Sequence, residues 1–358
     1  MKIVSAPVIF SGAVGRRQLI AKLQFFFERT INMASVISVK NISKEYVSYE
    51  RGGSFGEAVK SLFVRKKKIV NAVSGVSFEI EQGSITGLLG KNGAGKSTLI
   101  KMMTGVLFPT SGEVSVMGYN PFADRKRYVE NIGVLFGQKS QLIWDIPPID
   151  SFLMNKAIYG IEDSAFRIRL DSMTSLLEVE EVIKKPTRQL SLGERMKCEF
   201  IMAMLHNPKV VFLDEPTIGL DILAKETIRS FILDMNRQGV SFILTTHDIE
   251  DVERLAERVI IINNGEKVYE DSLKHLKKHL GDKKTVKIVM KDKVTDFSLD
   301  GIDEIKHISD FERELTFDRS RLSVNELLDA FGKIGEIADI SIKEMSVEEI
   351  IKEIYSEK

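Results

Sequence analysis

The sequence predicts an α/β fold built around a parallel sheet, followed by a small α+β unit. First, the apolar stretch from Ile85 to Leu89 runs into the glycine-rich segment GKNGAGKST. Second, the apolar stretch from Val210 to Leu213 ends in two adjacent carboxylates. Strands that are apolar throughout are typical of the centre of a parallel sheet. Third, after about residue 276 these runs give way to alternating stretches and capped helix starts, which predict the second unit.

The segment from Gly90 to Ser97 matches G-x-x-x-x-G-K-[ST], a phosphate-binding loop between a strand and a helix. Its glycines at 90, 93 and 95 are expected to adopt positive φ, so that successive N–H groups point at a phosphate. We expect Lys96 to bridge the β- and γ-phosphates of a nucleotide and Ser97 to ligate magnesium. The other predicted nucleotide contacts are Gly90, Asn92, Gly93, Ala94, Gly95 and Thr98. The alternative is a chance glycine-rich turn before a helix.

The two carboxylates that end the second apolar stretch predict the other half of this site. Asp214 would hold magnesium through its water shell, and Glu215 would orient and deprotonate the attacking water. An acidic turn after a strand is common in α/β proteins, but it explains neither the preceding phosphate-binding loop nor the adjoining Pro216 and Thr217. The two motifs together predict an ATPase that uses ATP and Mg²⁺.

Further motifs occur between and around these two. They are LSLGE at 190–194, Gln138 in VLFGQKSQ, GLD at 219–221, His247 in ILTTHD and Tyr46 in NISKEY. In this order the motifs resemble the ATP-binding cassette of ABC ATPases over residues 35–275. The resemblance implies a P-loop NTPase fold with a RecA-like core, an antiparallel β subdomain and a helical signature subdomain.

The resemblance also implies a role for each matched residue. Gln138 would reach the magnesium ion or the attacking water, and His247 would contact the γ-phosphate and hold Glu215 in position. Tyr46 would stack on adenine, although Tyr49 lies close by and stacking needs only an aromatic face. Asp221 matches the D-loop.

In this family the signature motif acts in trans, because two cassettes pack head to tail. Ser191 and Gly193 would therefore face the γ-phosphate bound by a second copy of the chain. The motif departs from the usual LSGGQ at Leu192 and Glu194. A carboxylate at Glu194 would repel a triphosphate unless it points away or pairs with Arg195 or Lys197, so Glu194 is not predicted to contact nucleotide.

Composition limits the remaining function classes. The 358 residues carry 51 basic and 51 acidic side chains, so no global field for binding nucleic acid is expected. Cys198 is the only cysteine, which excludes structural disulfides and is consistent with a reducing cytoplasm. No run of eighteen apolar residues occurs, so the pore of any transporter would have to come from another polypeptide.

The predicted organisation is an N-terminal extension at 1–34, a cassette at 35–276 with its helical subdomain at about 139–203, and a C-terminal α+β unit at 277–358. The extension is either a basic amphipathic membrane anchor or sequence upstream of a true start at Met33. An insertion at 47–68 is either a solvated basic face or a contact with a permease or an anionic headgroup.

In the C-terminal unit, strands are expected at 286–290, 314–317 and 337–342, and capping boxes at Ser323 and Ser346. The unit would serve packing, or pairing of two cassettes.

The string GQKSQLIWDIPPIDSF, with LSLGERMKCE, resembles the ABC ATPases of daunorubicin resistance and viologen export. This resemblance implies the ATP-hydrolysing subunit of a bacterial exporter, working as a homodimer with two separately encoded type-2 permease chains. It would lie peripherally on the cytoplasmic face of the plasma membrane. The permease would dock in a groove around 139–148, where Trp144 is either an interface anchor or a packed core aromatic.

Two other classes remain as alternatives. A soluble ABC ATPase acting on ribosomes or nucleic acid is disfavoured, because the chain has one cassette, no long coiled coil and a neutral charge. A P-loop kinase or GTPase is disfavoured by the signature motif and by the lack of an N-K-x-D motif.

Overall fold

The computed structural model describes residues 35–49, 67–137, 139–279, 283–294, 299–319, 321–344 and 347–356. The predicted extension at 1–34, most of the predicted insertion, Gln138 and the capping residue Ser346 therefore lie outside the described residues. Among the described helices, none combines the length and the apolar character that crossing a bilayer requires.

The described residues form thirteen strands and ten α-helices. The strands are β1 Ser35–Tyr49, β2 Lys67–Glu81, β3 Ile85–Leu89, β4 Ser111–Val116, β5 Ile132–Phe136, β6 Val210–Asp214, β7 Ser241–Thr245, β8 Arg258–Asn263, β9 Glu266–Ser272, β10 Lys283–Met290, β11 Ile302–Ser309, β12 Glu312–Asp318 and β13 Ile337–Glu344. The helices are α1 Lys96–Met103, α2 Arg125–Val129, α3 Pro148–Tyr159, α4 Asp163–Leu177, α5 Leu192–Met204, α6 Ile222–Arg237, α7 Ile249–Leu255, α8 Leu273–His279, α9 Val324–Ile334 and α10 Val347–Ser356.

The central sheet has the strand order β5-β6-β7-β3-β8-β9, with β9 antiparallel to β8 and the other neighbours parallel. Two of its middle strands, β3 and β6, are the ones predicted from apolar runs. Alternate residues of β6 enter opposite cores: Val211 and Leu213 pack on one face of the sheet, Val210 and Phe212 on the other. Burial of both faces explains why these strands are mostly apolar, and the parallel pairing confirms the predicted parallel sheet.

The two faces of the central sheet are covered by different layers. On one face, α1 and a three-stranded antiparallel sheet of order β2-β1-β4 complete a core around Leu99 and Met102. On the other, helices α3 to α6 pack in a core that includes Phe152, Phe200 and Phe231. Because both layers meet the same strands, the strand ends are held between them.

The C-terminal unit, residues 283–356, contains a four-stranded antiparallel sheet of order β11-β12-β10-β13. Helix α9 covers one face of this sheet, with Leu327 and Phe331 packed on Val286 and Ile288. The capping box at Ser323 is present as predicted: the Ser323 hydroxyl accepts from the backbone of Glu326, and the Glu326 carboxylate accepts from the backbone of Ser323. The three predicted strands of this unit are confirmed as β10, β12 and β13, each longer than predicted at one end or both.

Candidate active site

The phosphate-binding loop, residues 90–97, turns sharply between β3 and α1. Gly95 has φ 112°, and a Cβ there would lie 2.5 Å from the Ala72 carbonyl oxygen. Gly93 also has positive φ. The prediction was wrong for Gly90, whose φ is not positive; a side chain is excluded there because a Cβ would lie 2.5 Å from the Ile262 carbonyl oxygen.

Lys96 begins helix α1, two residues earlier than expected. It is only 6% exposed, and its Nζ donates to the carbonyl oxygens of Gly90 at 2.7 Å and Lys91 at 3.1 Å. Burial lowers the pKa of Lys96, and the charges of Glu215 and Asp214 act against that shift. Two carboxylates and two carbonyls thus hold this ammonium inside the loop.

Ser97 and Asp214 meet although 117 residues separate them. The Ser97 hydroxyl donates to Asp214 Oδ1 at 3.0 Å, and the Thr245 hydroxyl donates to the same oxygen at 2.6 Å. A hydroxyl and a carboxylate oxygen beside a phosphate site are the hard ligands that Mg²⁺ takes, with waters and phosphate completing its shell. Among the described residues, no group of three or more His, Cys, Asp or Glu side chains is placed to hold a metal ion.

Glu215 follows Asp214 in a strained backbone conformation, with φ 54°. Its N–H donates to the Thr245 carbonyl at 3.0 Å, which compensates for the strain. Gly137 lies against it so closely that a Cβ would meet the Glu215 carbonyl oxygen at 2.8 Å. The turn directs the carboxylate toward His247, whose Nδ1 lies 3.6 Å from Glu215 Oε1.

A cavity of about 190 Å³ opens at the ends of these strands. It is lined by Ser97, Lys101, Val106, Phe136, Gly137, Lys139, Asp214, Glu215 and Ile218. Gln138 lies outside the described residues, but the residues on both sides of it line the cavity. The predicted loop, the predicted carboxylates and the neighbours of Gln138 are therefore brought together in one place.

The signature segment begins helix α5, which starts at Leu192. Ser191 caps the helix: its hydroxyl accepts from the Glu194 N–H at 3.2 Å, and the Glu194 carboxylate accepts from the Ser191 N–H at 2.8 Å. This backbone hydrogen bond lowers the pKa of Glu194. The carboxylate is thus turned back onto its own helix, and the Ser-x-x-Glu spacing of SLGE was the sequence signal for it.

The signature segment packs against the D-loop of its own chain. Asp221 caps α6 by accepting from the Ala224 N–H at 2.8 Å. A Cβ on Gly193 would lie 3.0 Å from the Ala224 Cβ, and one on Gly219 would lie 3.3 Å from Leu192 Cδ2. None of Ser191, Gly193 and Asp221 lines the cavity described above.

Tyr46 lies on β1 opposite Val70 of β2 and is 42% exposed. Val47, Ile69 and Val70 are exposed around it, so this end of the two strands presents an apolar surface. Such a surface is suited to the face of a flat ring. The Tyr49 side chain lies outside the part of the chain that the structure describes. The stacking of Tyr46, rather than Tyr49, on adenine therefore stays a prediction.

The Trp144 side chain is half exposed and therefore lies at the surface. The Arg195 guanidinium lies 5.8 Å from the centre of its ring. The alternative of a packed core aromatic was therefore wrong. Leu142, two residues earlier, takes the buried place instead.

Sequence reasoning missed Glu199 on the buried face of α5. Only 5% of this residue is exposed. Its carboxylate accepts from the Ser140 hydroxyl and, at 3.0 and 3.1 Å, from the Gln141 N–H. The signature helix is thereby tied to the segment that follows Gln138. The one available signal was a carboxylate between apolar neighbours in KCEFI.

Replacing Glu199 by alanine is expected to destabilise the fold by about 1–3 kcal/mol, because it removes the charged acceptor that the Ser140 hydroxyl and the Gln141 N–H share. Urea unfolding of both proteins measures the difference. Glu180→Ala, at an exposed glutamate, is the matched control. A loss no larger than that of the control would contradict this role.

Asp251 of α7 was also missed. It is fully buried and pairs with Arg229, whose Nε donates to it at 2.7 Å. The Thr217 hydroxyl donates to its other oxygen. Because Thr217 follows the Glu215–Pro216 turn, this buried ion pair anchors the strained segment that carries the carboxylate.

Comparison with known proteins finds that residues 73–218 match a family model described as ABC transporter. The ABC transporter ATP-binding protein NatA of Bacillus subtilis is 32% identical over 214 residues, covering 60% of this chain and 87% of NatA. The methionine import ATP-binding protein MetN of the same organism is 31% identical over 236 residues, covering 64% and 69%. The cholesterol transporter ABCA5 of Rattus norvegicus is 28% identical over 337 residues; the match spans 90% of this chain but one fifth (20%) of ABCA5.

The fold has solved counterparts. The ATP-binding cassette MJ0796, in a dimeric post-hydrolysis state bound to ADP and Pi, matches with a TM-score of 0.56 at 24% identity, over 66% of this chain and 98% of that chain. Likeness at this identity shows the fold alone, and it confirms the predicted P-loop NTPase architecture.

Proposed function

This chain belongs to the ABC transporter ATP-binding proteins and is an ATPase, and from that premise we propose that it powers a bacterial exporter whose pore consists of separate type-2 permease chains. The observation that carries the hydrolytic part is the convergence of Ser97, Asp214 and Glu215 on one cavity. Export is supported by the motif strings from Gln138 to Phe152 and from Leu190 to Glu199. Family membership alone does not choose a direction, since MetN is named for import.

In the proposed mechanism the nucleotide phosphates lie in the loop at Gly90, Asn92, Gly93, Ala94, Gly95 and Thr98. Lys96 turns from its carbonyl partners to the β- and γ-phosphates. Glu215 takes a proton from the attacking water, and His247, 3.6 Å away, orients that carboxylate toward the γ-phosphate. Tyr46 stacks on adenine.

Mg²⁺ fits this site because Ser97 and Asp214 already direct hard oxygens at one point. When bound, the ion neutralises charge on the β- and γ-phosphates. Ser97 and Asp214 would hold it, and the family resemblance assigns Gln138 to the same ion or to the attacking water.

We further propose that two copies pair head to tail, with Ser191, Gly193 and Asp221 of each facing the nucleotide of the other. Support comes from the apolar residues beside the D-loop, since Ile222 and Leu223 are 78% and 79% exposed. The Ser191 hydroxyl oxygen accepts a hydrogen bond from the Glu194 N–H of its own helix. The hydroxyl hydrogen can therefore be donated to a phosphate oxygen.

Ser191→Arg is expected to abolish most hydrolysis, because its long side chain would occupy the place of the partner's γ-phosphate. Mixed with an inactive Glu215→Gln protein, it should regain activity, since each mixed dimer has one site with an intact base and an intact signature. Random pairing predicts about a quarter of wild-type turnover, measured by phosphate release. No recovery on mixing would contradict a shared site.

The proposed docking place for a permease is the groove between the central sheet and the helical layer. It has a volume of about 180 Å³ and is lined by residues including Thr104, Arg125, Gln141, Asn155, Tyr159 and His206. The sequence analysis expected the permease to dock around residues 139–148. Of that range, only Gln141 lines this groove. Val106, which lines this groove, is exposed, and an exposed apolar side chain suits an amphipathic partner helix.

Affinity purification of the tagged chain from native membranes tests the proposal, with mass spectrometry of the companions. Permease chains should co-purify, and Tyr159→Ala in the groove should reduce their yield at unchanged ATPase rate. Recovery with ribosomes or nucleic acid and without a membrane companion would favour the alternative, a soluble ABC ATPase. Co-purification with permease chains would also support the proposed peripheral location of this chain on the cytoplasmic face of the membrane.

A further inference from the structure

The last helix of the chain packs on the cassette and not on the sheet of its own unit. The apolar residues of α10 are Val347, Ile350, Ile351 and Ile354, each less than a tenth exposed. They enter a core with Leu89 of β3, Val259 of β8 and Leu276 of α8. Helix α10 is therefore a layer on the nucleotide-binding half of the molecule.

This core reaches the base of the phosphate-binding loop. Leu89 is the last residue of β3 and precedes Gly90 directly. Packing of α10 on Leu89 thus holds the strand end from which the loop rises.

The C-terminal end of α10 contacts the loop itself. The Lys91 Nζ lies 4.8 Å from the centre of the Tyr355 ring, a cation–π distance. The Tyr355 hydroxyl is enclosed and makes no hydrogen bond of regular geometry among the described residues, although the Lys91 backbone lies near enough to act against the burial that raises the pKa of Tyr355. The contact of regular geometry between α10 and the loop is that of the Tyr355 ring with the Lys91 ammonium.

Lys91 connects this contact to the phosphate site. Its carbonyl oxygen accepts from Lys96 Nζ at 3.1 Å, beside the bond to Gly90. Lys91 therefore contacts Tyr355 through its side chain and Lys96 through its backbone carbonyl.

The other side of α10 is tied to the C-terminal sheet. Lys283 Nζ, at the start of β10, lies 3.2 Å from Glu353 and 3.5 Å from Asp303 of β11. The helix is the element that joins this sheet to the loop.

We propose that α10 braces the phosphate-binding loop, so that nucleotide affinity depends on the docking of the C-terminal helix through Tyr355 and Lys91. Ordering a loop costs conformational entropy, and a brace that orders it before the nucleotide arrives lowers that cost at binding. The brace raises the affinity for ATP and for ADP equally, because the contact lies on the loop and not at the γ-phosphate. The coupling is reciprocal, so bound nucleotide must hold α10 more firmly.

The test is calorimetry of Mg-ADP binding to the full chain. Tyr355→Leu should weaken binding about three- to tenfold, the range for loss of a partly desolvated cation–π contact, while Tyr355→Phe should bind within about twofold of wild type. Phe311→Leu, at an exposed aromatic residue of the same unit, is the matched control and should bind as wild type.

A double-mutant cycle assigns the effect to this contact. If Tyr355 acts through Lys91, the change from Tyr355→Leu should largely disappear in a Lys91→Ala background. Additive losses, or an unchanged affinity in a folded Tyr355→Leu protein, would overturn the proposal.

Hydrogen exchange of the wild-type chain gives a readout that needs no variant. Saturating Mg-ADP should slow exchange of the amides of α10 relative to those of α9, which covers the C-terminal sheet. Equal exchange in α10 with and without Mg-ADP would overturn the reciprocal coupling and the brace with it.

Discussion

Replacing Glu215 by glutamine is expected to lower steady ATP hydrolysis by about 10²–10⁴-fold, the contribution of a positioned general base. The amide has the shape of the carboxylate and keeps the backbone bond from Glu215 N–H to the Thr245 carbonyl, so the strained turn should persist. It cannot take a proton from water at neutral pH. Nucleotide binding should therefore survive while turnover is lost.

The same change should trap a nucleotide-bound dimer, because it removes a negative charge beside the γ-phosphate and stops the reaction that separates the copies. Phosphate release measures the first effect, and size-exclusion chromatography with Mg-ATP measures the second. Glu113→Gln, at an exposed glutamate of β4, is the control. Wild-type turnover by Glu215→Gln would exclude Glu215 as the base.

Lys96→Ala is expected to weaken ATP binding by about 10- to 150-fold, since a hydrogen bond to a charged group contributes about 1.5–3 kcal/mol. The loss also leaves Asp214 and Glu215 without the cation that partly balances them, so two carboxylates would face the incoming phosphates. Both effects act against a triphosphate.

Calorimetry with Mg-ATP and Mg-ADP measures this change directly. The loss should be larger for ATP, because Lys96 is placed to reach the γ-phosphate as well as the β-phosphate. Lys126→Ala, at an exposed lysine of α2, is the matched control and should bind as wild type. Equal affinities for wild type and Lys96→Ala would contradict the role of this lysine.

The strands that position the site were predictable, because their signal is local. Each of β3, β6 and β7 is mostly apolar, and each ends at or near a residue with phosphate or proton chemistry. The order of motifs then placed these ends together without any knowledge of distances. The meeting of Ser97 with Asp214 confirms that part of the prediction.

Two carboxylates of the signature helix have partners that the sequence analysis did not name. Glu194 was expected either to point away from a triphosphate or to pair with Arg195 or Lys197; it points back onto its own helix and accepts from the Ser191 N–H. A capping box satisfies an otherwise orphaned helix donor, so it outweighs a pair of exposed charges. Glu199 had no recognisable motif, because its donors come from a loop about sixty residues away.

The sequence by itself determined the phosphate-binding loop, the two carboxylates and the parallel strands that carry them. Each of these features is specified by residues only a few positions apart in the chain. Only the tertiary structure decided where helix α10 lies. Its apolar face could have completed the C-terminal sheet or covered another surface, and amphipathic spacing is the same in either case. The free energy of burying Ile350 and Ile354 depends on the complementary surface around Leu89, which exists only once distant strands have assembled.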